Sequence, residues 1–247
     1  MLTPVRVLSS SGPMRVELAQ WHDRLVVVKR LQGFSHVLEA RLRREASVVK
    51  KLQHDNIIPL LATEGDRIIY AYCSGMSLAE ALRGGTIRPK RAVRIAADVL
   101  RALDYAHGMN VIHCDVKPSN IMIKGDKALL TDFGFAKDLA MTAITAPGML
   151  LGTPNYMAPE QFRGDRSDPR SDLYAVGAVL FHMLTGAPPY GSQALRFLAG
   201  DDRLTLAPLQ GEAEPLEGAI GRALSRDPKA RFESAAEMLR ALAEVHR

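Results

Sequence analysis

The sequence predicts an α+β fold of two lobes, a small strand-rich N-terminal lobe and a larger helical C-terminal lobe. Three observations predict it. Up to about residue 75, short β-branched or aromatic runs bounded by polar residues carry strand signals. Beyond Gly75 the pattern turns helical over long stretches. Just past that junction, a stretch punctuated by Pro and Gly, from Asn110 to Pro169, gathers most of the unusual polar residues. Strands first, helices after and polar chemistry near the junction is an α+β layout built around a cleft.

The elements follow in order. Residues 24–30 and 67–73 read as strands. A helix is predicted between them, over 36–52, because Leu38, Leu42, Glu45, Val49 and Leu52 recur at alternating spacings of four and three residues. Glu45 is out of place on that apolar stripe. Either it sits at the stripe's edge and reaches water, or a cation meets it in the core. Later helices are predicted over 89–107, 170–184, 215–224 and 233–246, with short strands at 120–123 and 128–131. The expected division is 1–72 for the first lobe, 73–75 for a hinge and 76–247 for the second lobe.

Composition narrows the function classes. The chain has 247 residues, of which 47% are hydrophobic and 24% charged, so long-range disorder is excluded. Lys and Arg total 32 against 27 Asp and Glu, a net charge of +5. The bases are scattered, so a solvated surface is expected and no nucleic-acid partner. Two cysteines, Cys73 and Cys114, build no disulfide framework and point to a reducing, cytoplasmic setting. No signal peptide is expected at the N-terminus. The apolar run from Leu173 to Leu184 is too short to span a bilayer.

Chemistry concentrates in a few motifs. Val111-Ile112-His113-Cys114-Asp115-Val116-Lys117-Pro118-Ser119-Asn120 sets Asp115, Lys117 and Asn120 in one tight loop. Asp132-Phe133-Gly134 follows a short apolar strand, and Ala158-Pro159-Glu160 comes later. Alone, each has an ordinary structural reading: Asp115 as a turn cap, Asn120 as an Asx turn, Lys29 as a strand-end lysine. Together with Val26-Val27-Val28-Lys29 and Glu45, the set resembles the eukaryotic-type protein kinase fold in its serine/threonine branch. The stretches 152–161 and 171–177 look most like bacterial members.

The resemblance implies transfer of the ATP γ-phosphate to serine or threonine hydroxyls of protein substrates, with magnesium or manganese. Asp115 would orient the acceptor hydroxyl and take its proton, and Lys117 would neutralise charge on the transferring phosphate. Asn120 and Asp132 would offer oxygen ligands to the metal. Lys29 would hold the α- and β-phosphates with Glu45 as counter-ion, which also answers the question of the carboxylate on the stripe. Leu8, Val16, Val27 and Met122 would enclose the adenine, Ala71 and Cys73 would offer it backbone groups, and Tyr70 would close the back of its site. Glu160 with Arg231 would form a structural ion pair, and Asp172 would anchor the loop carrying Asp115.

Departures from the pattern suggest the rival reading, a pseudokinase that binds nucleotide or acts as a scaffold with weak or no transfer. The three glycines expected over the phosphates fall at Ser9, Ser11 and Met14, leaving only Gly12 out of register. Val27 stands where alanine is usual and narrows the adenine slot. Cys114 replaces the arginine that pairs with a phosphorylated activation loop. Thr142 and Thr145 remain candidate autophosphorylation sites, and Thr153 matches a threonine that bonds the aspartate and lysine of the catalytic loop. Ser77 and Ser119 stand where kinases selecting arginine before the acceptor commonly carry acidic residues, so no such selection is expected.

Overall fold

The computed structural model describes residues 2–10, 14–33, 36–133, 137–138, 154–165 and 167–245. Alternation of side chains along short strands builds the first sheet. Five antiparallel strands, β1 (Leu2–Ser9), β2 (Met14–Trp21), β3 (Arg24–Leu31), β4 (Leu60–Glu64) and β5 (Arg67–Ala71), lie in the order β1-β2-β3-β5-β4. In β3 the period of two separates two jobs. Val26 and Val28 are buried with Ala19 and Ile69 on one face. Val27 and Lys29 turn to the other, where Val27 is paired with Tyr70 and Lys29 lies between Val16 and Ile68.

Helix α1 (His36–Val49) connects β3 to β4. It ends three residues before the predicted Leu52. The bonds Lys51 N–H to Val48 O and Leu52 N–H to Val49 O have shifted to the tighter i to i−3 spacing, which closes the helix in a last 3₁₀-like turn. Leu42, Glu45, Val49 and Leu52 of the predicted face are all buried, while the side chain of Leu38 lies outside those described. Strands β1, β2 and β4 have no separate signal in the sequence; β1, for one, is exposed almost throughout and gives no alternation to read.

The second part opens with a close approach of two backbones. A Cβ on Gly75 would lie 1.9 Å from the carbonyl oxygen of Ile123, so only glycine fits there. It leads into β6 (Met76–Ser77), which pairs with β8 (Ile121–Lys124), itself paired with β9 (Lys127–Leu130). Ser77 caps α2 (Leu78–Leu82). Helices α3 (Pro89–Gly108), α4 (Pro159–Phe162), α5 (Arg170–Thr185), α6 (Ala194–Leu198), α7 (Glu217–Ala223) and α8 (Ala235–Val245) supply the bulk. Strand β7 (Val111–Ile112) pairs with β10 (Lys137–Asp138).

Helix α5 is buried continuously from Ser171 to Phe181, as a helix apolar on every side should be. Gly177 lets α7 close on it, since a Cβ there would meet that of Ala223 at 2.7 Å. This central helix carries Asp172 in its first turn and thus fixes the polar loop above it. No described helix is long and apolar enough to cross a membrane.

Candidate active site

Lys29 is the centre of the site. Its Nζ donates to Glu45 Oε2 at 2.7 Å and Oε1 at 2.9 Å, and to Asp132 Oδ1 at 2.9 Å. Glu45 is 4% exposed and therefore needs its cation, which decides between the two readings left open by the sequence. Burial acts to lower the Lys29 pKa, but Asp132 and Glu45 outweigh it and hold the ammonium above its ordinary value. The hydroxyl of Tyr70 adds a further donor to Glu45 Oε1, at 2.7 Å.

The loop between β7 and β8 concentrates donors on one carboxylate. Lys117 Nζ lies 2.7 Å from Asp115 Oδ2, and Asn120 Nδ2 donates to the Asp115 carbonyl at 2.9 Å and to Oδ2 at 3.1 Å. Among the described residues both side-chain donors meet Asp115 Oδ2 and none meets Oδ1. A 3₁₀ turn, Pro118–Asn120, brings Asn120 back over Asp115.

Strain marks both ends of this machinery. Cys114 has φ 64° and Asp132 φ 63°, left-handed conformations that side chains other than glycine rarely adopt. Asp172 holds the first of these bends: its Oδ2 accepts the His113 N–H and its Oδ1 the Cys114 N–H, both at 2.9 Å. Burial would push this carboxyl up, yet the His107 hydrogen bond at 2.9 Å and the His113 amide leave it below the usual carboxylate value. Gln161 Nε2 caps the Cys114 carbonyl at 3.1 Å.

His113 ties the two bends together. Its Nδ1 accepts the Asp115 N–H at 3.2 Å and its Nε2 meets the Thr131 carbonyl at 3.1 Å, which makes Nε2 the protonated nitrogen. Sequence reasoning singles out neither His107 nor His113. Each lies in or next to an apolar run, and their partners are 65 and 18 residues away, so no local spacing signals them.

The model of the protein kinase domain family matches residues 11–241. The chain belongs to that family. It is 36% identical over 223 residues to the serine/threonine-protein kinase PknB of Mycobacterium tuberculosis, covering 83% of this chain and 36% of that protein. It is 34% identical over 251 residues to the serine/threonine-protein kinase PrkC of Bacillus subtilis, covering 95% of this chain and 39% of the relative. The chain therefore spans well under half the length of these relatives. The crystal structure of a point mutant of the Mycobacterium tuberculosis PknI kinase domain superposes with a TM-score of 0.76 at 27% identity, over 100% of this chain and 96% of the other.

The remaining residues expected at the site lie on or next to several strands and differ in exposure. Val16 and Val27 share the Lys29 face of the first sheet, while Leu8 is 41% exposed on β1. Ala71 ends β5, Cys73 is buried after it, and Met122 lies in β8 opposite Ser77. Arg231 grips both oxygens of Glu160 at 2.6 and 2.7 Å, the ion pair expected of them. Ser11, Gly12, Gly134, Thr142, Thr145 and Thr153 lie outside the described residues.

Asn120 and Asp132 offer an amide and a carboxylate oxygen, a donor set that suits magnesium alongside nucleotide phosphates. Among the described residues no three His, Cys, Asp or Glu side chains gather into a group that could hold a metal ion. One expectation needs correction. Ser77 is not free of negative charge, because Glu80 folds back in a capping box with Oε2 at 2.7 Å from the Ser77 N–H and 2.8 Å from its hydroxyl. That carboxylate is engaged in capping α2 and lies 3.8 Å from Arg83.

Proposed function

We propose that this domain is a serine/threonine protein kinase that transfers the γ-phosphate of ATP to protein hydroxyls. The observation that supports it most is the junction of Lys29 with both Glu45 and Asp132, since phosphoryl transfer of this kind needs the lysine–glutamate pair formed and the metal-binding aspartate beside it. In the reaction the acceptor oxygen attacks the γ-phosphorus and its proton passes to Asp115 Oδ1. The bond to the bridging oxygen breaks, and ADP leaves with that electron pair. Lys117, held on Asp115 Oδ2, is near enough to offset charge on the moving phosphoryl group.

Lys29 would bind the α- and β-phosphates. Asn120 and Asp132 would hold magnesium or manganese, which when bound neutralises phosphate charge. Leu8, Val16, Val27 and Met122 would enclose the adenine, with backbone groups of Ala71 and Cys73 along its edge and Tyr70 behind it. On this reading residues 1–72 form the nucleotide lobe, 73–75 the hinge and 76–247 the lobe that receives the protein substrate, and Thr153 belongs to the site. A cytoplasmic setting is favoured by Cys73 and Cys114, neither of which is in a disulfide.

The test is transfer of labelled γ-phosphate, with magnesium or manganese, to the domain itself and to a generic protein. Asp115→Asn should reduce transfer by at least about a hundredfold. Full activity in that variant, or none in the parent, would count against the proposal, and the second result would favour a pseudokinase.

A further inference from the structure

Glu45 accepts three hydrogen bonds, and only two of them come from Lys29. Those two do not by themselves fix α1. Lys29 is a flexible point charge that can follow Glu45 outward, and it has Asp132 at 2.9 Å as an alternative partner. Tyr70 is different. Its backbone lies in β5, hydrogen-bonded on both sides by β3 and β4, and the residue is 6% exposed. The side chain has two torsions, both confined by packing, so its hydroxyl is a donor set at a fixed point of the sheet. Burial raises this phenol well above its ordinary pKa, with the Glu45 charge adding to the effect, and it remains a donor at every working pH.

We propose that Tyr70 is a positioning residue whose hydroxyl locks α1 against the first sheet, so that the Lys29–Glu45 pair forms without support from activation-loop phosphate. The inference rests on the kinase reading. In that mechanism the lysine–glutamate pair must be in place for turnover, and loop phosphorylation commonly governs it. Here Cys114 stands where the phosphate-binding arginine would be, so the task passes to a bond between β5 and α1. A buried hydrogen bond to a charged acceptor shifts the ratio of docked to undocked helix by roughly ten- to a hundredfold. When α1 swings away, Glu45 regains water but Tyr70 is left with a buried, unpaired hydroxyl, which adds to the bias.

Tyr70→Phe removes the oxygen and keeps the ring, so the shape of the nucleotide site is retained. Two measurements are made on the same preparations, steady-state kinetics with ATP and a generic protein substrate, and amide hydrogen exchange. The expected result is a fall in kcat of about fivefold or more with KM for ATP changed by less than about twofold, as for a population shift rather than lost binding. Amides of α1 should exchange faster by a similar factor while those of α8 are unchanged. Unchanged exchange in α1, faster exchange with undiminished kcat, or acceleration shared equally by α8 would each overturn the proposal. Tyr70→Leu provides a second variant without the hydroxyl should the phenylalanine variant fold poorly. If the parent transfers no phosphate, the kinase reading fails, while exchange in α1 still decides whether the hydroxyl locks the helix.

Discussion

Lys29 and Asp132 are 103 residues apart in sequence and 2.9 Å apart in space, joined by an ammonium–carboxylate bond. Because Lys29 also holds the buried Glu45, a single side chain connects the central strand, the helix of the first lobe and the Asp132 motif of the second. Removing it leaves the buried Glu45 with the Tyr70 hydroxyl but without its cation.

Lys29→Met is therefore expected to lose activity and stability together. Turnover should drop at least about a hundredfold, and an uncompensated Glu45 should cost about 3–5 kcal/mol in urea unfolding. Glu45→Gln, which keeps an acceptor for Tyr70, should be destabilised less. Retention of a tenth of the parental kcat by Lys29→Met would show that this junction is not part of the chemistry.

Nucleotide affinity is expected to be limited by the loop between β1 and β2 and by Val27. Ser9→Gly and Ser11→Gly with Val27→Ala should lower KM for ATP, because glycine lets backbone approach phosphates without a Cβ in the way. Met14→Gly carries a cost of its own. Met14 begins β2, pairs with Leu31 and packs on the core, so this replacement should also lower Tm. An unchanged or higher KM in the triple variant would refute the assignment of the loop.

Loop phosphate is expected to matter little. The Cys114 amide is engaged by Asp172 and its thiol lies 3.7 Å from the Ile112 carbonyl, so residue 114 offers a phosphate no charge. Thr142→Ala combined with Thr145→Ala, and phosphatase treatment likewise, should each keep most of the kcat/KM of the untreated parent. A tenfold loss, about 1.4 kcal/mol of transition-state stabilisation, relative to that parent would contradict this.

Acid should weaken the support of the catalytic loop. The Asp172 carboxyl titrates lower in the folded protein than unfolded, so the folded state binds fewer protons. Its contribution to stability is complete above the unfolded value of about 3.9 and disappears as pH falls through the folded one. The stability gap between the parent and Asp172→Asn, read from urea midpoints between pH 7 and pH 3, should accordingly narrow on acidification. A gap that stays constant would mean that the ionised carboxylate is not what holds His113 and Cys114.

Much of the site was legible in the sequence because motif residues carry their own chemistry. Asp115, Lys117 and Asn120 lie within six positions, and a turn short enough to bring them together is written in Pro118. Glu45 was legible as an anomaly, a carboxylate on an apolar stripe. Glu160 and Arg231 were paired through the resemblance alone, since nothing local links residues 71 positions apart. Periodicity marks the buried face of α1 from Leu42 onward but not its end, because the last turn closes through 3₁₀ backbone bonds that side-chain spacing does not encode. Strand β1 was missed because both its faces are largely exposed.

The sequence by itself determined the fold class, through residue type and periodicity, and, through the resemblance its ordered motifs carry, the family and the side chains proposed for phosphoryl transfer. Tertiary structure decided the partnerships. That Tyr70 reaches Glu45, that His113 joins Asp115 to Thr131, that His107 supports Asp172 and that Glu80 returns to Ser77 all depend on ångström-scale placement of polar atoms. A hydrogen bond exists only within a few tenths of an ångström and a limited range of angle. Hydrophobic patterning fixes which face of an element is buried but not that geometry, which emerges only when the faces have packed.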